Sequence, residues 1–126
     1  MTSSIICSIL LNIRVHMGKG GYLGEFEQIV LLAVLRLGKN AYGVTIWEEI
    51  EKRTGRSVIV GAVYATLDRL QAKRFISSKV GDPTPERGGR AKRFFKITAK
   101  GSAALERSRR ILANMWAGLD PVWGQP

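Results

Sequence analysis

The spacing of apolar residues changes along this chain, and the change limits the folds open to it. Up to about residue 74, apolar residues recur every three or four positions, which is the period of an α-helix. Residues 75–81 (FISSKVG) and 92–98 (KRFFKIT) alternate instead, as short β-strands do. Helical spacing returns from about residue 99. The pattern predicts a mainly α fold with one small β-hairpin.

Three helices are predicted before the hairpin. Residues 25–37 are apolar around nearly the whole helix, which must therefore be buried on several sides, within the domain or against a second subunit. Residues 42–54 form an amphipathic helix that ends at Gly55, with Trp47 in the core. Residues 58–74 form a third helix whose outward face is small at its start and basic at its end. Small residues there allow a large partner to come close to the backbone.

The predicted hairpin carries a basic loop. Between the strands lie Pro83, Pro85 and the Gly88–Gly89 pair, all of which favour turns. From residue 87 to residue 100 there are six basic residues and no acidic one. The positive charges at this tip repel one another, and we expect an external anion to neutralise them. Arg87, Arg90 and Lys92 are the strongest candidates, whereas Arg93 is expected to support the strand.

Composition points to the same kind of partner. The chain has 126 residues, 45% of them hydrophobic, and a formal net charge of +10, which suits one folded domain with a polyanionic partner. Nucleic acid is the first candidate for this partner, and an anionic membrane surface is the second. Residues 1–51 carry four Lys/Arg against five Asp/Glu, and residues 52–126 carry sixteen against five. The basic character therefore belongs to the later part of the fold.

Several functions are disfavoured. One cysteine, Cys7, and one histidine, His16, cannot form a disulfide or a His/Cys metal site, and the lone cysteine fits a reducing cytoplasm. We find no phosphate-binding loop or nucleophile elbow, so we expect no cofactor and no enzyme activity. The apolar stretch near residues 5–15 is too short to span a membrane. We expect residues 1–16 to be a loosely attached extension or the result of an upstream start.

The last helix, residues 99 to about 118, begins at Thr98, a good N-cap. It has an apolar strip with little of its own core left to cover, so we expect the same helix of a second copy to cover it. The strip consists of Leu105, Leu112, Met115, Trp116 and Leu119.

Together these elements predict a winged helix-turn-helix followed by a C-terminal dimerisation helix. We expect an N-terminal extension over residues 1–21 and a DNA-binding domain over residues 22–98. The dimerisation helix then covers residues 99–119, and residues 120–126 form a frayed tail. The third helix would enter the major groove of double-stranded DNA, and the hairpin would lie along the phosphates.

Five segments in this order resemble the PadR family of bacterial transcriptional regulators: LGEFEQIVLLAVLRLG, AYGVTIWEEIEKRTG, GAVYATLDRLQAKRFI, PERGGRAKRFFKIT and KGSAAL. They cover about residues 22–119, and the single last helix resembles the shorter branch of the family. The resemblance implies a homodimer that binds operator DNA, usually as a repressor. The alternative is a winged-helix module that binds RNA, a protein partner or DNA without operator specificity.

The resemblance also implies roles for residues of the third helix. Tyr64 would reach a phosphate, or else pack half-buried. Ala62 and Ala65 would face the bases, with Gly61 on the same outward face of this recognition helix. Arg69 and Lys73 would contact phosphates or remain ordinary solvent charges. Some family members sense small aromatic molecules between the helices of the dimer, where Trp116 would stack on the ligand or serve in packing alone.

This sequence departs from the family pattern in two places. Arg74 stands before the first strand, where the family usually has glycine, and this adds a charge and predicts strain at the helix end. The first sixteen residues have no counterpart in the family.

Overall fold

The computed structural model describes residues 22–81 and 91–119. The described residues form four α-helices and one two-stranded antiparallel sheet. In chain order these are α1 (Glu25–Leu37), a short 3₁₀ helix (Gly38–Asn40), α2 (Gly43–Thr54), α3 (Val60–Ala72), β1 (Ile76–Val80), β2 (Arg93–Ile97) and α4 (Ala99–Trp116). The predicted winged helix-turn-helix with one further helix is confirmed. The predicted extension, loop tip and tail lie outside the described residues.

One core joins the first three helices to the inner face of the hairpin. Val30 and Leu31 of α1, Ile46 of α2, Leu67 of α3 and Phe75 before β1 are almost completely buried. The inward side of α3, with Val63, Leu67 and Leu70, is buried. Trp47 is only partly buried and packs against the core. Helix α1 has exposed apolar residues as well, because Leu32 and Leu35 are each 48% exposed. Part of its apolar surface is therefore not covered by this protomer.

Helix α3 begins two residues later than its sequence pattern predicts. Both backbone polar groups of Val58 are taken by α2, since its N–H donates to Glu51 Oε2 (2.7 Å) and its carbonyl accepts from Trp47 Nε1 (2.7 Å). These bonds hold the turn between α2 and α3 outside the helix. Ile59 then serves as the extended N-cap residue of α3.

The other end of α3 closes in a Schellman motif centred on Arg74. The Phe75 N–H donates to the Leu70 carbonyl (2.9 Å) and the Arg74 N–H to the Gln71 carbonyl (2.9 Å), which is the paired bonding of that motif. Arg74 has φ +66°, the left-handed conformation that favours glycine. It is the one non-glycine residue with positive φ among residues 22–81 and 91–119. The strain expected from Arg74 in place of glycine is therefore present.

The hairpin has an inner and an outer face. Ile76 pairs with Ile97 and Ser78 with Phe95, and this row includes the buried Ile76 and Phe95. The alternate row pairs Ser77 with Lys96 and Lys79 with Phe94, so these side chains lie on the opposite face. The segment before α2 extends the sheet, because the Phe95 N–H donates to the Ala41 carbonyl (2.8 Å).

Helix α4 packs on the core near its start. Thr98 caps it as predicted, since its Oγ1 accepts from the Gly101 N–H (3.0 Å). Gly101 and Ala104 are buried, and Leu105 packs against the core. From residue 109 to residue 119 every residue is exposed. The second half of α4 therefore extends beyond the core of its own protomer.

Candidate nucleic-acid interface

The outward face of α3 is small and apolar over its first two turns. Gly61, Ala62 and Ala65 are exposed there, as the sequence predicted. Ile59 joins them and is 78% exposed, the highest value among the exposed large hydrophobic residues of the described chain. The sequence pattern missed Ile59 because it placed this residue inside the helix. The face can approach a large partner closely and offers a branched apolar side chain at its edge.

Tyr64 lies beside this face and packs on the beginning of α2. It is 46% exposed, and a methyl group added at Gly43 would collide with its ring and hydroxyl. The absence of a side chain at Gly43 therefore makes room for the Tyr64 ring. The phenol group lies close to the positive end of the α2 dipole. Tyr64 is half-buried by packing, and its hydroxyl lies against the first residue of α2.

A second aromatic residue at the start of α2, Tyr42, was missed by sequence reasoning. Its ring meets Phe94 edge-on, with centroids 5.4 Å apart, and the Lys92 ammonium lies 4.4 Å from the Tyr42 centroid. Lys92 Nζ is also 3.4 Å from the Tyr42 hydroxyl oxygen. The hairpin thus places its predicted contact residue Lys92 beside the first turn of α2. The only sequence signal was an aromatic residue directly before a helix.

The two basic residues at the end of α3 have different surroundings. Lys73 Nζ donates to Glu27 Oε2 (2.8 Å), and its side chain is only 19% exposed. Arg69 is 54% exposed, with Nε 3.7 Å from the same carboxylate, and it donates to Thr66 Oγ1 (3.2 Å). The Glu27 side chain is buried and also accepts from the Gly24 N–H (3.0 Å). Lys73 is therefore part of an internal ion pair, whereas Arg69 faces the solvent.

The environment of Glu27 favours its charged form. Burial raises the pKa of the Glu27 carboxyl, but hydrogen bonds from Lys73 and Gly24 and the positive charges of Lys73 and Arg69 outweigh it. The net result is a pKa below the ordinary glutamate value. Glu27 therefore remains an anion at neutral pH and holds the end of α3 against α1.

Of the predicted wing residues, Lys92 lies within the described part of the chain. Arg87, Gly88, Gly89 and Arg90 lie outside the described residues. Arg93 is exposed and pairs with Val80 across the hairpin, which agrees with a role in the strand.

An apolar groove of about 530 Å³ runs between α1 and α4, away from the core. Leu32 and Leu35 form one wall, and Leu112 and Trp116 form part of the other. Of the predicted dimerisation residues, Leu112, Met115, Trp116 and Leu119 are exposed, and Met115 is 72% exposed. Leu105 lines the groove but also packs against the core of its own protomer. The strip predicted on α4 is thus largely accessible, together with a part of α1.

Residues 22–81 and 91–119 contain neither a metal-binding cluster nor a membrane-spanning helix. No group of three or more His, Cys, Asp or Glu side chains in them is placed to hold a metal ion. None of their helices is long and apolar enough to cross a membrane.

The fold and the exposed face of α3 define a DNA-binding protein of the winged helix-turn-helix class. The model of the PadR-like family of transcriptional regulators matches residues 31–107 of the chain. The chain therefore belongs to this family, whose members are transcriptional regulators and not enzymes. No curated protein shows significant sequence similarity to the chain.

Solved structures of several regulators have the same fold. A PadR-like transcriptional regulator from Bacillus cereus matches with a TM-score of 0.61 at 18% identity, over 80% of this chain and 93% of its own. A PadR family regulator from Eggerthella lenta matches with a TM-score of 0.58 at 16% identity, over 99% of this chain and 97% of its own. A PadR family regulator from Clostridium difficile matches with a TM-score of 0.53 at 26% identity, over 77% of this chain and 95% of its own. These similarities agree with the family assignment.

Proposed function

We propose that this regulator is a homodimeric repressor that binds a palindromic operator, with α3 in the major groove and the hairpin along the DNA backbone. The observation that carries the proposal is the small, exposed outward face of α3. The major groove is ~12 Å wide and admits one helix, and small side chains allow the helix backbone to approach the base edges. Ala62 and Ala65 can recognise shape and thymine methyl groups, and Ile59 adds a second apolar contact.

Phosphate contacts would position α3 in the groove. Tyr64 and Lys92 lie against neighbouring residues at the start of α2, Gly43 and Tyr42. The N–H groups of a first helical turn attract anions, and the hydroxyl and ammonium groups would add hydrogen bonds to the same phosphate region. Arg87 and Arg90 of the wing and Arg69 of α3 would extend these contacts along the backbone.

The apolar surface of α4 supports the homodimer. Exposed apolar residues are concentrated in its second half, where the core of the same protomer offers no cover. Leu32 and Leu35 of α1 form the facing wall of the groove, so the α4 helix of a second copy has a place to pack. Two protomers related by a two-fold axis would present two α3 helices to half-sites about 34 Å apart.

The test is selection of bound sequences from a pool of random duplexes, with the full chain at near-physiological salt. Enrichment of one inverted repeat is the expected result. Retained binding without any enriched sequence would refute operator recognition, because phosphate contacts carry no sequence information. A promoter that contains the selected site should then lose transcription when the protein is present, and activation would contradict the repressor role.

Variants can then rank the proposed contacts on the selected site. Lys92→Gln should weaken binding to all duplexes to a similar degree and reduce the slope of log K against log salt by about 1. Tyr64→Phe should weaken binding by about tenfold, because one hydrogen bond to a charged group is lost. Lys52→Gln, at an exposed position of α2, is the control for net charge. If Lys92→Gln and Lys52→Gln weakened DNA binding equally, Lys92 would not be a residue of the DNA interface.

Oligomeric state has its own test. Leu112→Glu places a charge in the groove between α1 and α4, and we expect it to convert the dimer to a monomer in sedimentation equilibrium. Ala103→Glu adds the same charge at an exposed α4 position that does not line the groove, and it should remain dimeric. A Leu112→Glu variant that dimerises as well as the Ala103→Glu control would exclude this surface as the interface.

A further inference from the structure

A second groove lies between the hairpin and the C-terminal end of α1. Its volume is about 780 Å³, within the usual range of ~300–1,000 Å³ for small-molecule sites. Val34 and Leu35 of α1 and Phe94 of β2 give it an apolar surface. The hairpin contributes to it, but neither the α3 face nor Lys92 lines it, so none of the residues named above as DNA contacts forms part of this groove.

Three lysines from three elements surround this apolar surface. Lys39 comes from the 3₁₀ helix, Lys79 from β1 and Lys96 from β2, and all three are exposed. None of the residues that line the groove is acidic. Within residues 22–81 and 91–119, no ion pair involves any of these three lysines. The groove therefore combines an apolar surface with three positive charges that lack an anion in the described part of the chain.

We propose that this groove binds a small organic anion that has an apolar body, of the size and kind of a medium-chain carboxylate. The carboxylate would lie among the lysine ammonium groups, and the apolar body would cover Phe94 and Ile97. Charge complementarity favours this occupant over a second copy of the chain, because α4 is itself basic, with four Lys/Arg against one Asp/Glu over residues 99–116. A DNA phosphate would satisfy the lysines but leave the apolar surface uncovered.

The test is equilibrium dialysis of labelled octanoate against the full chain without DNA, so that its outcome is independent of the DNA-binding proposal. Acetate tests the need for an apolar body, and octyltrimethylammonium, an apolar cation, tests the need for a negative charge. We expect saturable binding of octanoate and at least tenfold weaker binding of both other probes. Amide chemical shifts in NMR spectra should change around Phe94 and Lys96, and not around Leu112.

A pair of variants with equal net charge tests the lysines. Lys79→Gln with Lys96→Gln should weaken octanoate binding by about fivefold, the sum of two exposed charge contacts. The control combines Lys52→Gln with Arg110→Gln, which are exposed and lie outside the groove, and it should bind octanoate as the unaltered chain does.

Three results would overturn the proposal. The first is equal binding of octanoate and the apolar cation. The second is equal octanoate affinity of the two double variants. The third is weaker duplex binding by the Lys79/Lys96 variant with unchanged octanoate binding, which would assign these lysines to DNA.

Discussion

Replacing Arg74 by glycine should stabilise the protein. A residue with a Cβ atom costs roughly 1–2 kcal/mol in the left-handed conformation, and Arg74 adopts it with φ +66°. Glycine removes this cost but increases the entropy of the unfolded chain, which costs about 0.5–1 kcal/mol. The net gain is about 0.5–1 kcal/mol, equivalent to a rise in Tm of about 2–5 °C for a domain of this size.

The backbone bonds around Arg74 should survive this substitution. Its N–H donates to the Gln71 carbonyl, and its own carbonyl accepts from Thr98 Oγ1 (2.7 Å). Neither bond uses the Arg74 side chain, so a change in stability reports the backbone conformation and the charge. Thermal unfolding should be measured at one protein concentration, because the Tm of the dimer that we propose would depend on concentration.

Two controls separate the backbone from the charge. Arg74→Ala removes the charge but keeps Cβ, so it should not raise Tm, whereas Arg74→Asn should lie between alanine and glycine because asparagine tolerates this conformation. Repulsion between Arg74 and other cations would be screened by salt, but backbone strain would not. An equal rise in Tm for Arg74→Ala and Arg74→Gly, lost at high salt, would refute the argument from strain.

Three further predictions follow from the interface. Gly43→Ala should displace the Tyr64 ring and weaken operator binding by about tenfold, the loss of one charged hydrogen bond, while the Gly24→Ala control, whose added methyl has room, should bind normally. Glu27→Gln should lower the free energy of unfolding at neutral pH by about 1–3 kcal/mol, because Lys73 loses its partner. The pKa of Glu27 is lowered by folding, so this stabilisation is complete above the unfolded pKa and disappears as pH falls through the folded pKa. Urea titrations measure the free energy of unfolding of the unaltered chain and of the Glu27→Gln variant. A difference between these two free energies that stayed constant as the pH fell would contradict this prediction. Ile59→Ala should weaken binding about fivefold at sites with a thymine under the start of α3, and unchanged base preference in a repeated duplex selection would exclude this contact.

The sequence predicted the regular elements well because their signals are local. Helix α1 has its predicted bounds, since its apolar period is long and Gly38 follows directly. The hairpin strands are one residue shorter at each end than their alternation indicated. Thr98 was identified as an N-cap from residue type and position alone. Each of these features depends on neighbours within one or two turns of the chain.

The structure differs from the sequence-based predictions where residues far apart in the sequence contact one another. Helix α3 starts late because Val58 bonds to Trp47 and Glu51, seven or more positions away. The partner of Lys73 is Glu27, which lies 46 positions earlier. Apolar periodicity reports which side of a helix is buried, but it carries no information on which charged residues meet. A proposal of which single side chains contact DNA therefore required the fold.

The ion pair at the end of α3 decides which of its two cations is available for DNA. Lys73 Nζ is 2.8 Å from the Glu27 carboxylate, and its departure would leave a buried anion with weaker compensation. Arg69 Nε is 3.7 Å from the same carboxylate, beyond ordinary hydrogen-bond length, and half of its side chain is exposed. Because Lys73 already satisfies Glu27, Arg69 can turn to a phosphate at the cost of its bond to Thr66. We therefore expect Arg69→Gln to reduce the salt dependence of DNA binding, and Lys73→Gln to act mainly on stability.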